Sequence, residues 1–295
     1  MTAVCVTTCV SEDYQHFVPL WAWCLNRAYP EYAVKVFLTE PALPFLRVAS
    51  RRLDVQLIEG EFGPKRYERR PRRFAAWCRY LLFTEARRHH WRDHDWVYIT
   101  DGDLMVVREE PPLHVQHLEH MKVTGLCYSN LLRDPLRFDS EHMTGLHFCG
   151  REFIEAVTGK CTEYDGLFRV VGGGVLDGKP VIHDERLLYQ IVRDSGLPMP
   201  PLLLDGDVDV DSPARHKQAH FRCWHGLNVG RAMVKGFPDK GYIRAGLPWW
   251  KDTVRRFAAL AEEPGFWQHY AYLTPSAKRA LGAMCRLSGY ELRKP

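Results

Sequence analysis

The first hundred residues alternate between short apolar runs and segments of helical periodicity, and this alternation constrains the fold more than any other feature. Strands are predicted over residues 4–10, 34–38 and 55–58 and from Trp96 onward, with helices over residues 14–27, 44–53 and 74–88. Strands that alternate with helices form a mostly parallel sheet covered on both faces. Its crossovers are expected to be right-handed, and ligands to bind beyond the carboxyl ends of the strands.

The second half of the chain is less regular. We predict a strand over 122–128, helices over 150–157 and 184–195, a glycine-rich break at 172–174 and a polar loop over 205–213. Short helical patterns separated by Pro and Gly begin at Pro238. The predicted domains are therefore residues 1–235, with halves at 1–107 and 108–235, and a helical C-terminal extension over 236–295.

Composition narrows the class of protein. The chain is 46% hydrophobic with a net charge of +4, which is typical of a globular protein and permits anionic partners without demanding nucleic acid. Its nine cysteines are scattered without a C-x-x-C pair, so we predict reduced, buried thiols. No apolar run approaches the ~20 residues that span a bilayer, and no basic leader with an apolar region opens the chain. These features predict a cytoplasmic protein.

The stretch WVYITDGDLMVV, residues 96–107, begins with a predicted buried strand. The strand ends on two carboxylates, and the chain then becomes apolar again. Because an unpaired buried charge is costly, Asp101 and Asp103 either cap a turn at the edge of the sheet or hold a cation. Residues two apart on an extended chain point to the same side, and Gly102 lets the chain bend between them. Carboxylate pairs of this kind suit Mg²⁺ or Mn²⁺. Further D-x-D triplets within residues 205–211 lie in a polar loop and are interpreted as solvated.

Two common nucleotide-binding motifs are missing from the sequence. No G-x-G-x-x-G follows the first strand, and no G-x-x-x-x-G-K-[ST] occurs anywhere. Their absence argues against a dinucleotide enzyme and against a P-loop enzyme.

The D-x-D strand and four other segments together resemble the GT-A-fold glycosyltransferases, which take a sugar from a nucleotide diphosphate-sugar. The resemblance covers roughly residues 3–235. VCVTTCVSEDY (4–14) matches the first strand and nucleotide-binding loop, and RRFAAWCRYLLF (72–83) looks like the helix that precedes D-x-D. GGGVLDGKPVIHDERLLYQIV (172–192) looks like the acceptor-side segment, and HFRCWHGLNVGR (220–231) resembles the late histidine motif that completes the metal site. The chain lacks the Lys-Pro-Trp that ends this motif in one branch of retaining transferases.

The resemblance implies a Mn²⁺ or Mg²⁺ ion and a set of site residues. The metal ligands would be Asp101 and Asp103 with His225 or His220, and His225 is favoured because Gly226 follows it. Asp184 and Glu185 would be the catalytic carboxylates. A nucleotide-sugar donor, most simply a UDP-sugar, would be bound by Thr7, Thr8, Arg73, Arg79, Asp101, Gly102 and Arg231. The acceptor would be a hydroxyl of a glycan, a lipid-linked sugar or a protein.

Simpler interpretations remain open for several of these residues. Asp184 and Glu185 also suit a helix N-terminus, where acids favour the macrodipole, and His89-His90 suit the end of a helix. Arg73, Arg79 and Arg231 could be ordinary solvated side chains. A structural zinc at His220, Cys223 and His225 is disfavoured for want of a second ligand pair.

The run KRYERRPRR, residues 65–73, is the densest basic cluster. It predicts a solvated loop or a contact with an anionic glycan, a nucleotide or the head groups at the inner face of a membrane. The basic residues concerned are Lys65, Arg66, Arg69, Arg70, Arg72 and Arg73.

Three classes of function follow. A metal-dependent glycosyltransferase of the hexosyltransferase type is the leading hypothesis. A sugar nucleotidyltransferase or pyrophosphorylase would share the α/β half and the metal acids, but residues 7–11 lack the glycine-rich, basic loop typical of that class. A non-enzymatic anion-binding protein would use the 65–73 cluster, with Asp101-Gly102-Asp103 as a turn.

Overall fold

The structure, a computed structural model, describes residues 3–62, 71–133, 142–171, 175–176, 179–180, 184–203, 226–230, 233 and 248–294. The predicted glycine-rich break at 172–174 and the predicted polar loop at 205–213 lie outside these residues. None of the helices in the described ranges is both long and apolar enough to cross a membrane.

A six-stranded sheet forms the centre of the molecule. Its strands are β1 (Val4–Val10), β2 (Ala33–Leu38), β3 (Gln56–Ile58), β4 (Trp96–Ile99), β6 (Tyr128–Ser129) and β8 (His147–Gly150), in the order β3-β2-β1-β4-β8-β6. The first four strands along this order run parallel, whereas β8 is antiparallel to both β4 and β6. Two-stranded ribbons use the remaining strands β5 (Leu104–Val106), β7 (Leu132–Arg133), β9 (Val175–Leu176), β10 (Lys179–Pro180), β11 (Leu202–Leu203) and β12 (Gly226–Asn228).

Helices connect the strands and cover the sheet. In chain order they are α1 (Val18–Ala28), α2 (Pro44–Ser50), α3 (Pro71–Cys78), α4 (Leu113–Thr124), α5 (Arg151–Val171), α6 (Asp184–Asp194), α7 (Pro248–Leu260), α8 (Phe266–Tyr270) and α9 (Pro275–Leu287). Two 3-10 helices, Glu12–Tyr14 and Glu85–Trp91, precede α1 and β4.

The side chains of β1 divide the core into two layers, because successive residues of a strand face opposite sides of the sheet. Val4, Val6 and Val10 join a cluster with α1, α4 and the C-terminal helices. Cys5 and Cys9 join a second cluster with α3, α5 and α6. Both faces of the sheet are therefore covered, which is why β1 is buried along its whole length.

The predicted architecture is confirmed: an α/β fold with a mostly parallel sheet flanked by helices, and a C-terminal segment that is helical. Phe257, Phe266 and Leu281 of that segment are fully buried in the same cluster as α1. The boundary at residue 235 and the division at residue 107 stay predictions. The eight cysteines in the described ranges form no disulfide, and seven of them are buried.

The predicted helix over 74–88 is wrong in its second half. The chain leaves α3 after Cys78 and passes through tight turns before the 3-10 helix Glu85–Trp91. Two side-chain contacts replace the helical pattern here: the Glu85 N–H donates to Thr162 Oγ1 at 3.1 Å, and the fully buried Arg87 donates through Nη1 to the Leu81 carbonyl at 2.8 Å. The Glu85 N–H, which a continuous helix would donate to the Leu81 carbonyl, therefore has another acceptor, although the apolar residues keep a helical spacing.

The predicted strand over 122–128 is also wrong, because α4 runs through Thr124 and only Tyr128 belongs to a strand. Gly125 ends the helix with φ of 69° and donates its N–H to the Met121 carbonyl. A left-handed residue after a helix is a common position for glycine. Val123 and Thr124 are β-branched, but both lie in the last turn of the helix, so their strand preference does not decide the conformation here.

Candidate active site

A cleft of about 350 Å³ opens at the carboxyl ends of β1 and β4. Residues from the end of β1, the turn after β4, the helices α3 and α6 and the strand β12 line it: Thr8, Cys9, Val10, Ser11, Tyr14, Ala75, Ala76, Arg79, Asp101, Gly102, Asp103, Asp184, Glu185, Asn228 and Gly230. This edge of a parallel sheet is where open α/β folds bind ligands.

The pairing of β4 with β1 carries the Asp101-Gly102-Asp103 turn to the cleft. Ile99 lies opposite Thr7, and the Thr100 N–H donates to the Thr7 carbonyl at 2.9 Å. A Cβ at Gly102 would lie 2.7 Å from Cγ1 of Val10. Only glycine therefore lets the turn lie directly against the end of β1.

Arg79 is the electrostatic centre of the cleft. Its side chain is 8% exposed, and its guanidinium donates through Nη1 to Asp101 Oδ1 and through Nη2 to Asp184 Oδ2. Burial acts to lower the pKa of the Arg79 guanidinium, but the negative charges of Asp101 and Asp184 more than offset this and hold the pKa well above its usual value. The Arg79 guanidinium thus bridges Asp101, in the turn after β4, and Asp184, the first residue of α6.

The second oxygen of Asp101 has a different partner. Asn228, the last residue of β12, donates through Nδ2 to Asp101 Oδ2 at 3.1 Å. It reaches this position because β12 pairs antiparallel with β5, placing Asn228 opposite Leu104. Both oxygens of Asp101 are therefore oriented by neighbouring side chains, one charged and one neutral.

Asp103 is more enclosed than Asp101. The residue is 6% exposed, and its carbonyl accepts the N–H of Val229 at 2.9 Å. A Cβ at Gly230 would lie only 1.8 Å from Asp103 Oδ2. The carboxylate thus occupies space that any other residue type at position 230 would fill.

Glu185 lines the cleft, and Tyr80 and Gly145 lie next to it and to Arg79 without being among the lining residues. Burial raises the pKa of the Tyr80 phenol well above its usual value, so the group stays protonated and donates to the Gly145 carbonyl at 2.7 Å. A Cβ at Gly145 would lie 3.1 Å from Glu185 Oε1 and 3.3 Å from Arg79 Nη2. A side chain at this position would therefore crowd both charged groups.

The structure brings seven of the sequence-predicted site residues to the cleft: Thr8, Arg79, Asp101, Gly102, Asp103, Asp184 and Glu185. Thr7 is buried and is not among the residues that line it. Arg72 and Arg73 lie in the first turn of α3, with side chains outside the described structure. Outside the described residues lie His220, His225, Arg231, Lys65, Arg66, Arg69 and Arg70.

Sequence reasoning missed Asn228, Gly230, Tyr80 and Gly145. Asn228 and Gly230 fall within the late segment HGLNVGR, in which the sequence analysis singled out the histidine and Arg231. Asparagine and glycine are common loop residues, so only the pairing of β12 with β5 distinguishes them.

The donor set of the cleft suits a hard divalent cation, since Asp101 and Asp103 offer carboxylate oxygens. Within the described ranges, the carboxylates of the cleft do not form a group of three whose ligand atoms lie mutually within 4.8 Å. The sequence-predicted third ligands, His220 and His225, lie outside those ranges.

Comparison with solved structures gives distant likenesses. An active-site mutant of LgtC is 12% identical, with a TM-score of 0.44, over 95% of this chain and 100% of that chain. Apo GlyE, a glycosyltransferase of Streptococcus pneumoniae TIGR4, is 15% identical with a TM-score of 0.37, over 66% of this chain and 44% of that one. Core-mannan synthase A of Aspergillus fumigatus, in its Mn/GDP form, is 8% identical with a TM-score of 0.40, over 65% of this chain and 70% of that chain.

This chain therefore spans less than half the length of the GlyE chain. No protein-family model matches it, and neither does any curated protein. At these identities and TM-scores, the likenesses assign no activity to the chain.

Proposed function

We propose that the chain is a metal-dependent glycosyltransferase that moves a sugar from a nucleotide diphosphate-sugar to an acceptor hydroxyl. The observation that supports this most is the convergence of Asp101, Asp103 and Asp184 on one cleft, with the buried guanidinium of Arg79 between two of them. Acids held beside a cation at the carboxyl edge of a parallel sheet suit a negatively charged diphosphate and its counter-ion.

Breaking the bond between an anomeric carbon and a phosphate leaves growing negative charge on the diphosphate. Asp101 and Asp103, with His225 or His220, would hold a Mn²⁺ or Mg²⁺ ion, which when bound stabilises that charge as a Lewis acid. Arg79 is already charged and enclosed, so it adds a fixed positive charge at the same edge without reorganisation. Arg73 and Arg231 are further candidates for the diphosphate.

Asp184 and Glu185 are the proposed catalytic carboxylates. A carboxylate next to the reacting carbon either stabilises the oxocarbenium-like sugar or accepts the proton of the acceptor hydroxyl. Asp184 is oriented by its hydrogen bond with Arg79, and the Oε1 atom of Glu185 lies next to Gly145. The two acids therefore approach the cleft from the first turn of one helix with different partners.

The proposed donor is a UDP-sugar whose sugar is a hexose. Thr8 of β1 and Gly102 in the turn after β4 both line the cleft in which the nucleotide would lie. The acceptor would be a glycan, a lipid-linked sugar or a protein.

The test is a panel of nucleotide-sugars incubated with the protein and Mn²⁺, with release of the free nucleotide measured with and without EDTA. We expect release from at least one donor, and we expect EDTA to abolish it. If pyrophosphate exchange into a nucleotide-sugar occurs instead, the protein is a nucleotidyltransferase. If no donor gives metal-dependent release or exchange, neither enzymatic proposal holds.

Replacing Asp184 with asparagine tests the catalytic assignment. The change keeps the side-chain shape but removes the charge, so we expect the rate to fall by about 10²- to 10⁴-fold, the usual contribution of a positioned acid or base. The measurement is kcat with the donor found in the panel, beside the matched variant Asp194→Asn at the other end of α6. Near wild-type kcat in Asp184→Asn would show that the acid serves the helix N-terminus rather than the reaction.

Replacing Gly230 with alanine tests the role of Asp103. The added Cβ would displace the Asp103 carboxylate, because the two would be 1.8 Å apart. We expect the Mn²⁺ concentration for half-maximal activity to rise by at least about tenfold, as when a residue that orients a ligand is changed. The control is Gly159→Ala in α5, where a Cβ meets nothing within 4 Å. Equal metal requirements in the two variants would remove Asp103 from the metal site.

A further inference from the structure

Three side chains with metal-ligating atoms converge outside the cleft, between the end of β3 and the 3-10 helix that precedes β4. They are Glu61, His89 and His90, each with one ligand atom mutually within 4.8 Å of the others. Glu61 Oε1 lies 3.0 Å from His90 Nε2. None of the three lines the cleft described above, so this group is separate from the Asp101 site.

The ring of His89 is oriented for coordination. Its Nδ1 lies 3.1 Å from the Ala86 carbonyl, so Nδ1 carries the proton and donates it there. The lone pair of the neutral ring is then on Nε2. A histidine whose other nitrogen donates to a backbone carbonyl is the usual arrangement for a metal ligand. The side chain is exposed, so an ion can reach it.

Glu61 and His90 are held in place by the surrounding core. Arg87 donates through Nη2 to the backbone carbonyl of Glu61 at 2.7 Å, which ties that residue to the 3-10 helix. The ring of Phe37 meets the ring of His90 edge-on, with centroids 5.1 Å apart. The side chain of His90 is only 10% exposed, and its backbone carbonyl accepts a hydrogen bond from Lys35. An ion bound between Glu61 and Nε2 of His90 would replace the hydrogen bond that joins them, and the Nε2 proton would move to Nδ1 of the same ring.

The charges around the group nearly cancel. Arg87 Nε lies 3.7 Å from Glu61 Oε2, and Arg87 Nη1 lies 3.5 Å from Asp165 Oδ1. Lys35 adds a second positive charge nearby, so Arg87 and Lys35 oppose an incoming cation while Glu61 and Asp165 favour it. The other carboxylate oxygen of Glu61, Oε1, faces His90 and not Arg87.

We propose that Glu61, His89 and His90 form a binding site for a first-row transition ion, with Zn²⁺ the preferred occupant. Two imidazoles and one carboxylate are a common zinc donor set, and they leave a fourth position for water or another ligand. Imidazole favours Zn²⁺ over Mg²⁺, which selects oxygen donors. The proposal does not depend on the function proposed for the cleft.

The test is a calorimetric titration of the protein with Zn²⁺ at slightly alkaline pH, which measures the affinity and the number of ions bound. Excess Mg²⁺ is kept present to compete at the carboxylates of the cleft. Two variants remove a ligand: His89→Ala, at an exposed position, and Glu61→Gln, which keeps the side-chain shape. His94→Ala is the matched control, since it removes a nearby histidine that is not part of the group.

We expect one Zn²⁺ equivalent to be bound by the wild type and by His94→Ala, and at least about tenfold weaker binding of that equivalent in both ligand variants. Tetrahedral Co²⁺ absorption should appear in the wild type and be lost in His89→Ala. Circular dichroism shows whether each variant is folded, and a folded His89→Ala variant with unchanged Zn²⁺ affinity overturns the proposal. Absence of Zn²⁺ binding by the wild type overturns it as well.

Discussion

Replacing Asp103 with asparagine is expected to lower metal-dependent activity about a thousandfold and to leave the fold intact. The amide keeps the shape of the side chain but removes the negative charge that would hold the cation. A bound metal contributes several kcal/mol to stabilising the leaving diphosphate. Since each 1.36 kcal/mol changes the rate tenfold, loss of most of this term gives an effect of that size.

The measurement is the rate of nucleotide release at saturating Mn²⁺, together with a thermal unfolding curve. Asp93→Asn is the control, because Asp93 is exposed in the turn before β4 and away from the cleft. If Asp103→Asn unfolds the protein, the acid is structural. If it retains wild-type activity with the same response to EDTA, Asp103 does not bind the metal.

Replacing Arg79 with methionine is expected to destabilise the protein by about 3 kcal/mol, the lower end of the range for breaking a buried ion pair. The variant leaves Asp101 and Asp184 without their shared cation. Their side chains are 30% and 20% exposed, so solvent screens part of the cost. The measurement is the free energy of unfolding from denaturant titration at neutral pH.

Two further variants show whether the loss comes from the unpaired acids. Arg47→Met removes an arginine that is 54% exposed and pairs with Glu59, so it should cost at most about 1 kcal/mol. The triple variant Arg79→Met, Asp101→Asn, Asp184→Asn should recover most of the stability that Arg79→Met loses, because no uncompensated charge remains. A triple variant no more stable than Arg79→Met would assign the loss to packing of the arginine side chain instead.

Local pattern was enough to predict the main architecture. Strands β1 and β2 lie within a residue of their predicted ends, because buried parallel strands are continuous apolar runs. The start of α6 at Asp184 was also predicted, from acids followed by helical periodicity. The helix predicted over 74–88 fails where a tertiary contact decides the local conformation, since the Glu85 N–H donates to Thr162, 77 positions away.

The candidate site, too, was predicted from the sequence only in part. The sequence by itself singled out Asp101, Gly102 and Asp103, because charge at the end of an apolar strand is costly and therefore conspicuous. Only the tertiary structure decided that Arg79 lies between Asp101 and Asp184, residues separated from it by 22 and 105 positions. The packing of α3 and α6 on one face of the sheet creates that contact. Local periodicity carries no information about which distant charges meet, so the partner of the acids could be read only from the fold.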